Sequence, residues 1–262
     1  GCTSLASVNL NGFDTSNVTT MNGMFIDCSS LPSIDLSSVN SEKLTDISNM
    51  FSGCTSLASV NLNGFDAPSA TTMSNMFIGC SSLPSIDLSS VNPENVTDMS
   101  NMFSGCTSLE SVNLNGFDAT NVDIMTGMFR DCSSLPSIDL SNVKSPEAYD
   151  IDMSSMFNGC SSLTSVNLNG FDTSQVHYMA SMFERCSSLT SLNLSGLDAS
   201  DADTSFLGLF GYVEGGSMSN VRVVDSYFSG NQHIGGICGS NNGGTFTNCH
   251  NASTVIGSYT GG

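Results

Sequence analysis

Ten cysteines are the residues of this chain with the widest chemistry open to them: disulfide exchange, metal ligation and nucleophilic attack. Eight stand at Cys2, Cys28, Cys54, Cys80, Cys106, Cys132, Cys160 and Cys186, at intervals of 26 residues apart from one of 28. Equal spacing puts each thiol at the same place in a repeated unit, so the eight form a line. Zinc needs four ligands around one point, which a line does not provide. Pairing between neighbouring coils stays open, because a step of about 4.8 Å fits the Cα window of a disulfide. The spacing favours a ladder of buried, reduced thiols that behave as small apolar residues. Cys238 and Cys249 lie outside the ladder, and their spacing leaves them free to pair.

The other reactive side chains carry no motif. His177, His233 and His250 form no His-Glu-x-x-His pattern, and serine is too abundant for any Ser-His-Asp grouping to mean much. The Gly-rich stretch 235–244 lacks the lysine and the following helix of a phosphate loop. No catalytic residue, metal ligand or cofactor is therefore assigned, and the chain reads as a non-enzyme. Asp and Glu number 24 against 5 Lys and Arg, a net charge of -19. That shortage of cations argues against a nucleic-acid partner and against an anionic membrane surface. No apolar run reaches the 18 residues or so that a membrane-spanning helix needs.

The elements that carry these residues follow from the repeat. A period between about 20 and 50 residues marks a solenoid. Ile34 and Leu36 point one way and Ser33, Asp35 and Ser37 the other, the alternation of a short half-buried strand. Leu44, Ile47, Met50, Phe51 and Cys54 recur at helical spacing, and 13 of the 14 Met lie in this stripe from Met21 to Met182. The expected fold is an α/β repeat solenoid, and because Leu31-x-x-Ile34-x-Leu36 resembles the strand of a leucine-rich repeat it is expected to be leucine-rich-repeat-like: a right-handed stack with one parallel sheet and short helices opposite, in eight coils over residues 1–212. The 28-residue interval adds two residues around Pro146–Tyr149, a bulge on one coil. Past residue 212 the stripe disappears, and 213–262 reads as a small all-β module.

A second period of 52 residues overlies the first. The middle outward position of each strand reads Asn9, Asp35, Asn61, Asp87, Asn113, Asp139, Asn167, Asn193. Carboxylates on every coil would repel across about 4.8 Å, by near 1 kcal/mol even in water. Alternation doubles the gap to about 10 Å, beyond a physiological Debye length of about 8 Å. This polar column is the candidate ligand-binding face, since solenoids commonly bind through such surfaces.

The string Gly12-Phe-Asp-Thr-Ser-Asn-Val-Thr-Thr-Met21-x-x-Met-Phe25-x-x-Cys-Ser-Ser-Leu31 resembles the BspA-type leucine-rich repeats of bacterial surface proteins. Ile234-Gly-Gly-Ile-Cys-Gly-Ser-Asn-Asn-Gly-Gly-Thr-Phe-Thr-Asn-Cys249 resembles the GLUG repeat. The resemblance implies an extracellular protein of the bacterial surface that adheres to host matrix or plasma proteins of the fibronectin or fibrinogen type, and places no binding residue. A binding module is the first reading. A structural spacer within a larger surface protein, or an accessory region of a secreted peptidase, are the alternatives. The chain opens inside a Gly-Cys-Thr-Ser-Leu signature and closes at Gly261-Gly262, as a piece of a longer protein would.

Overall fold

The structure, a computed structural model, describes residues 1–91, 94–144, 146–147, 151–168, 171 and 175–189; beyond these it describes 198–199, 212–214, 217–219, 222–230, 238, 240–242, 245–247 and 249–257. Its strands are short because each is one inward residue flanked by two outward ones. In β1 (Ser33–Asp35) Ile34 is buried while Ser33 and Asp35 are exposed. The Asp35 carboxylate then ends the strand by accepting the Ser37 N–H at 2.9 Å, an Asx turn. The same unit recurs as β2 (Ser59–Asn61), β3 (Ser85–Asp87), β4 (Ser111–Asn113), β5 (Ser137–Asp139) and, past β6 (Ile151–Asp152), as β7 (Ser165–Asn167).

These strands do not form the single sheet expected. They pair in parallel as β1 with β2, β3 with β4 and β5 with β7, in strict 26- or 28-residue register. Proline explains the interruption. Within a doublet the residue before the second strand donates to the first: Ala58 N–H to the Pro32 carbonyl at 2.8 Å, Glu110 N–H to Pro84 at 2.8 Å, Thr164 N–H to Pro136 at 2.9 Å. At the seam between doublets the residue in the donating position is Pro84 or Pro136, which has no N–H to give.

Opposite the strands the structure differs from the helical expectation: the described residues contain no helix. The Met-x-x-Met-Phe stripe is a run of turns. Met24 N–H bonds the Met21 carbonyl, Cys28 N–H bonds Phe25 and Leu31 N–H bonds Cys28, each an i to i+3 closure. The third residue of the first two turns is left-handed, Gly23 at φ 62° and Asp27 at φ 55°. Both columns keep this in every described coil, through Asn49, Asn75, Asn101, Gly127, Ser155 and Ser181, and through Gly53, Gly79, Gly105, Asp131, Gly159 and Arg185. A left-handed residue every four positions cannot be helical, and is what a type II turn requires.

The turns leave alternate N–H groups for the next coil. Met21, Gly23, Phe25 and Asp27 donate to the carbonyls of Asp46, Ser48, Met50 and Ser52 at 2.7–3.0 Å, and the set repeats down to Gly159 and Glu184. Inside, Phe25, Phe51, Phe77, Phe103, Phe129, Phe157 and Phe183 stack with centroids 5.4–5.7 Å apart and planes within 11°. Parallel pairing also links β6 to β8 (Val176–Tyr178).

The last part of the chain stacks differently. β9 (Asp198–Ala199) is followed by β10 (Tyr212–Glu214), β11 (Ser217–Ser219), β12 (Arg222–Gly230), β13 (Ser240–Asn242), β14 (Thr245–Thr247) and β15 (His250–Gly257). β10 pairs β13, β11 pairs β14 and β12 pairs β15, all parallel, with Tyr212 opposite Ser240 and Arg222 opposite His250. Each coil here contributes three strands at a period of 28 residues. β12 also pairs β9, so parallel stacking runs across residue 212.

Candidate binding face

The strand side presents the alternating column in order. Asp35, Asp87 and Asp139 are exposed and Asn61, Asn113 and Asn167 are half-buried. The Nδ2 of Asn61 donates to Asp35 Oδ1, Asn113 to Asp87 and Asn167 to Asp139, each at 3.0 Å. Each amide therefore serves the aspartate of its own doublet, not the one across the seam. The asparagines form the same Asx turn as the aspartates: Asn9 Oδ1 accepts from Asn11 N–H at 2.9 Å and Asn61 Oδ1 from Asn63 N–H at 3.1 Å. Asn193 lies outside the described residues.

Charge on this column is held in place. The Ser37 hydroxyl, then the Ser37 N–H and the Asn61 amide, keep the Asp35 carboxyl below the usual carboxylate value. Ser89 and Ser141 do the same for Asp87 and Asp139. Over β2, β3 and β4 the face carries a trough of about 510 Å³, lined by Val60, Ser85, Asp87, Val112 and Asn113 among others. Val60 and Val112 are half-buried where Ile34, Ile86, Ile138 and Val166 are buried, so the coils of β2 and β4 show some apolar surface between the aspartates.

The family model described as Mycoplasma protein of unknown function, DUF285, matches residues 1–85, 58–151 and 113–207. The chain belongs to this family. A crystal structure of a leucine-rich repeat protein from Bacteroides ovatus is similar to this DUF285 chain at 16% identity and a TM-score of 0.30, over 90% of this chain and 77% of that one. No curated protein matches the sequence.

The cysteines of the DUF285 coils sit inside. Cys28 to Cys186 are buried free thiols and Cys2 is exposed. Six thiols donate to the Phe carbonyl one coil earlier, from Cys54 to Phe25 at 3.0 Å through Cys186 to Phe157 at 3.0 Å. Burial pushes the Cys54 thiol up to about 11 and those of Cys106 and Cys160 up to about 12. Thiols held protonated are poor nucleophiles and poor metal ligands. Cys238 and Cys249 are half-buried.

Two further columns of the DUF285 stack alternate as the strand column does, and the sequence reading passed over them. Parallel bridges join Thr20, Asp46, Thr72, Asp98, Ile124 and Asp152, with a carboxylate on every second coil. A third column sets Asn40 against Asp66 and Asp118 against Lys144, which form an ion pair. Its aspartates fall on the odd coils, out of phase with the other two. The signal was present in the sequence as the 26-residue spacing of Asp46, Thr72 and Asp98. Among the described residues no three His, Cys, Asp or Glu side chains gather as a metal ion would need, and no helix is long and apolar enough to cross a membrane.

Proposed function

We propose that this DUF285 chain is a binding module of a bacterial surface protein and that its ligand, a host extracellular protein or glycan, lies along the strand face. The observation that carries the reading is the open trough over β2, β3 and β4, bordered by the Asp87 carboxylate and by half-exposed Val60 and Val112. Such a mixture of fixed polar groups and small apolar patches suits specific recognition. On this reading the stack belongs outside the cell, in keeping with its BspA-like strings, and residues 213–262 belong to a GLUG-like module. The test is capture on immobilised matrix proteins, plasma proteins and glycans. Wild type should bind at least one saturably, and Asp35→Lys, Asp87→Lys and Asp139→Lys together should change that binding. Absence of any saturable binding would sink the reading.

A spacer role has its own observation. The turn ladder and the phenylalanine stack run without a break from Phe25 to Phe183, a stiff column able to hold another domain away from a surface. Full-length flanking sequence with large domains on both sides, together with no ligand capture, would favour it.

A further inference from the structure

We infer that the strand face docks an extended basic polypeptide that runs along the stack axis with a Lys or Arg at every third residue. The inference rests on the strand-face reading above and names the partner's chemistry. Asp35, Asp87 and Asp139 occupy the same register position of β1, β3 and β5, two coils apart. At sheet spacing two coils are roughly 10 Å. A polyproline helix has three residues per turn and advances about 3.1 Å per residue, so every third side chain points the same way at nearly this distance. In a β-strand, by contrast, side chains three apart face opposite sides. The spacing of the fixed charges thus selects a sequence period in the partner.

The carboxylates are preorganised for this. Asp35 Oδ1 takes both the Ser37 N–H and the Asn61 amide, which fixes the group while the residue stays exposed to an incoming cation. Asp87 and Asp139 are held in the same way. Among the described residues no Lys or Arg lies in β1 to β5 or β7: Lys43, Arg130, Lys144 and Arg185 lie off the strands, and Arg222 lies in β12. The neighbouring outward residues are mostly Ser and Asn, small enough for a second backbone to lie close. Half-exposed Val60 and Val112, one coil from each aspartate, seat the methylene stems of lysine or arginine.

The protein supplies its own control. Asn61 and Asn113 occupy the same position and make the same Asx turn, so Asp→Asn removes charge without removing the turn. Fluorescence anisotropy would compare labelled synthetic peptides of one composition: lysine at every third residue, at every second residue, or clustered. The third-residue peptide should bind tightest to wild type. The variant Asp35→Asn/Asp87→Asn/Asp139→Asn, checked for an unchanged melting curve, should weaken it about tenfold and flatten its salt dependence. Equal affinity for all three spacings, no binding by any peptide, or no effect of the triple variant would each overturn the inference. A second variant, Ser85→Trp/Ser137→Trp, raises bulk from the same face. If it abolishes capture of a matrix protein or glycan while the triple variant leaves capture intact, the strand face still binds but its partner is not basic.

Discussion

Cys80 Sγ donates to the Phe51 carbonyl one coil earlier at 3.2 Å, and the same oxygen accepts the Cys54 N–H at 3.0 Å. One carbonyl thus takes a turn-closing bond from its own coil and a thiol from the next, filling both lone pairs. The cysteine column is a set of rungs.

Rungs of this kind are chemically quiet. With iodoacetamide at neutral pH, the native protein should be alkylated at Cys2 and resist at Cys54, Cys106 and Cys160, while the unfolded protein reacts at all four. Mass spectrometry reads the sites. Rapid native labelling of Cys106 would show that its thiol is neither enclosed nor raised to about 12.

Gly79 separates turns from helix by the sign of one substitution. Its φ is 73°, and an added Cβ would meet nothing closer than Gly53 at 3.9 Å, so only backbone strain is at stake. Gly79→Ala should destabilise by about 1–2 kcal/mol in chemical denaturation. In a helix the same change would stabilise by about 1 kcal/mol. Gly79→Asn should cost less than Gly79→Ala, because Asn75 and Asn101 already adopt this conformation.

Asn113→Asp would place a third carboxylate between Asp87 and Asp139 and remove the amide that bonds Asp87. Its melting temperature should fall at low salt and recover in part at high salt, with about 1 kcal/mol of repulsion per close pair. A loss independent of salt would assign the alternation to packing.

Acid should loosen the strand face. Ser37, Ser89 and Ser141 lower the folded-state values of Asp35, Asp87 and Asp139. The stability of the ionised groups is then complete above the unfolded carboxylate value near 3.9, and is lost as pH falls through the lower folded values. Melting curves of wild type should drop as pH falls from about 4, and those of the triple Asp→Asn variant should drop less.

The coil period could be read from the cysteines, and the inward strand residues from alternation about Ile34 and Leu36. The stripe from Leu44 to Cys54 misled because apolar residues three and four apart line one side of a helix and equally of consecutive β-turns. Gly53, Gly79, Gly105 and Gly159, each just before a cysteine, with Asn49, Asn75 and Asn101 four residues earlier, were the discriminating signal. On the binding face the Asp–Asn alternation was legible. The one-sided direction of each amide was not, because it depends on the seams that Pro84 and Pro136 impose across separate coils.

The turn ladder also has a direction. In every described step from Met21 to Gly159 the earlier coil offers N–H groups and the later one offers carbonyls. Ahead of the strands the bonds run the other way: Ala58 and Thr164 of a later coil donate back to Pro32 and Pro136. Each coil therefore carries opposed hydrogen-bond directions on its two sides, so a bare coil face shows both acceptors and donors.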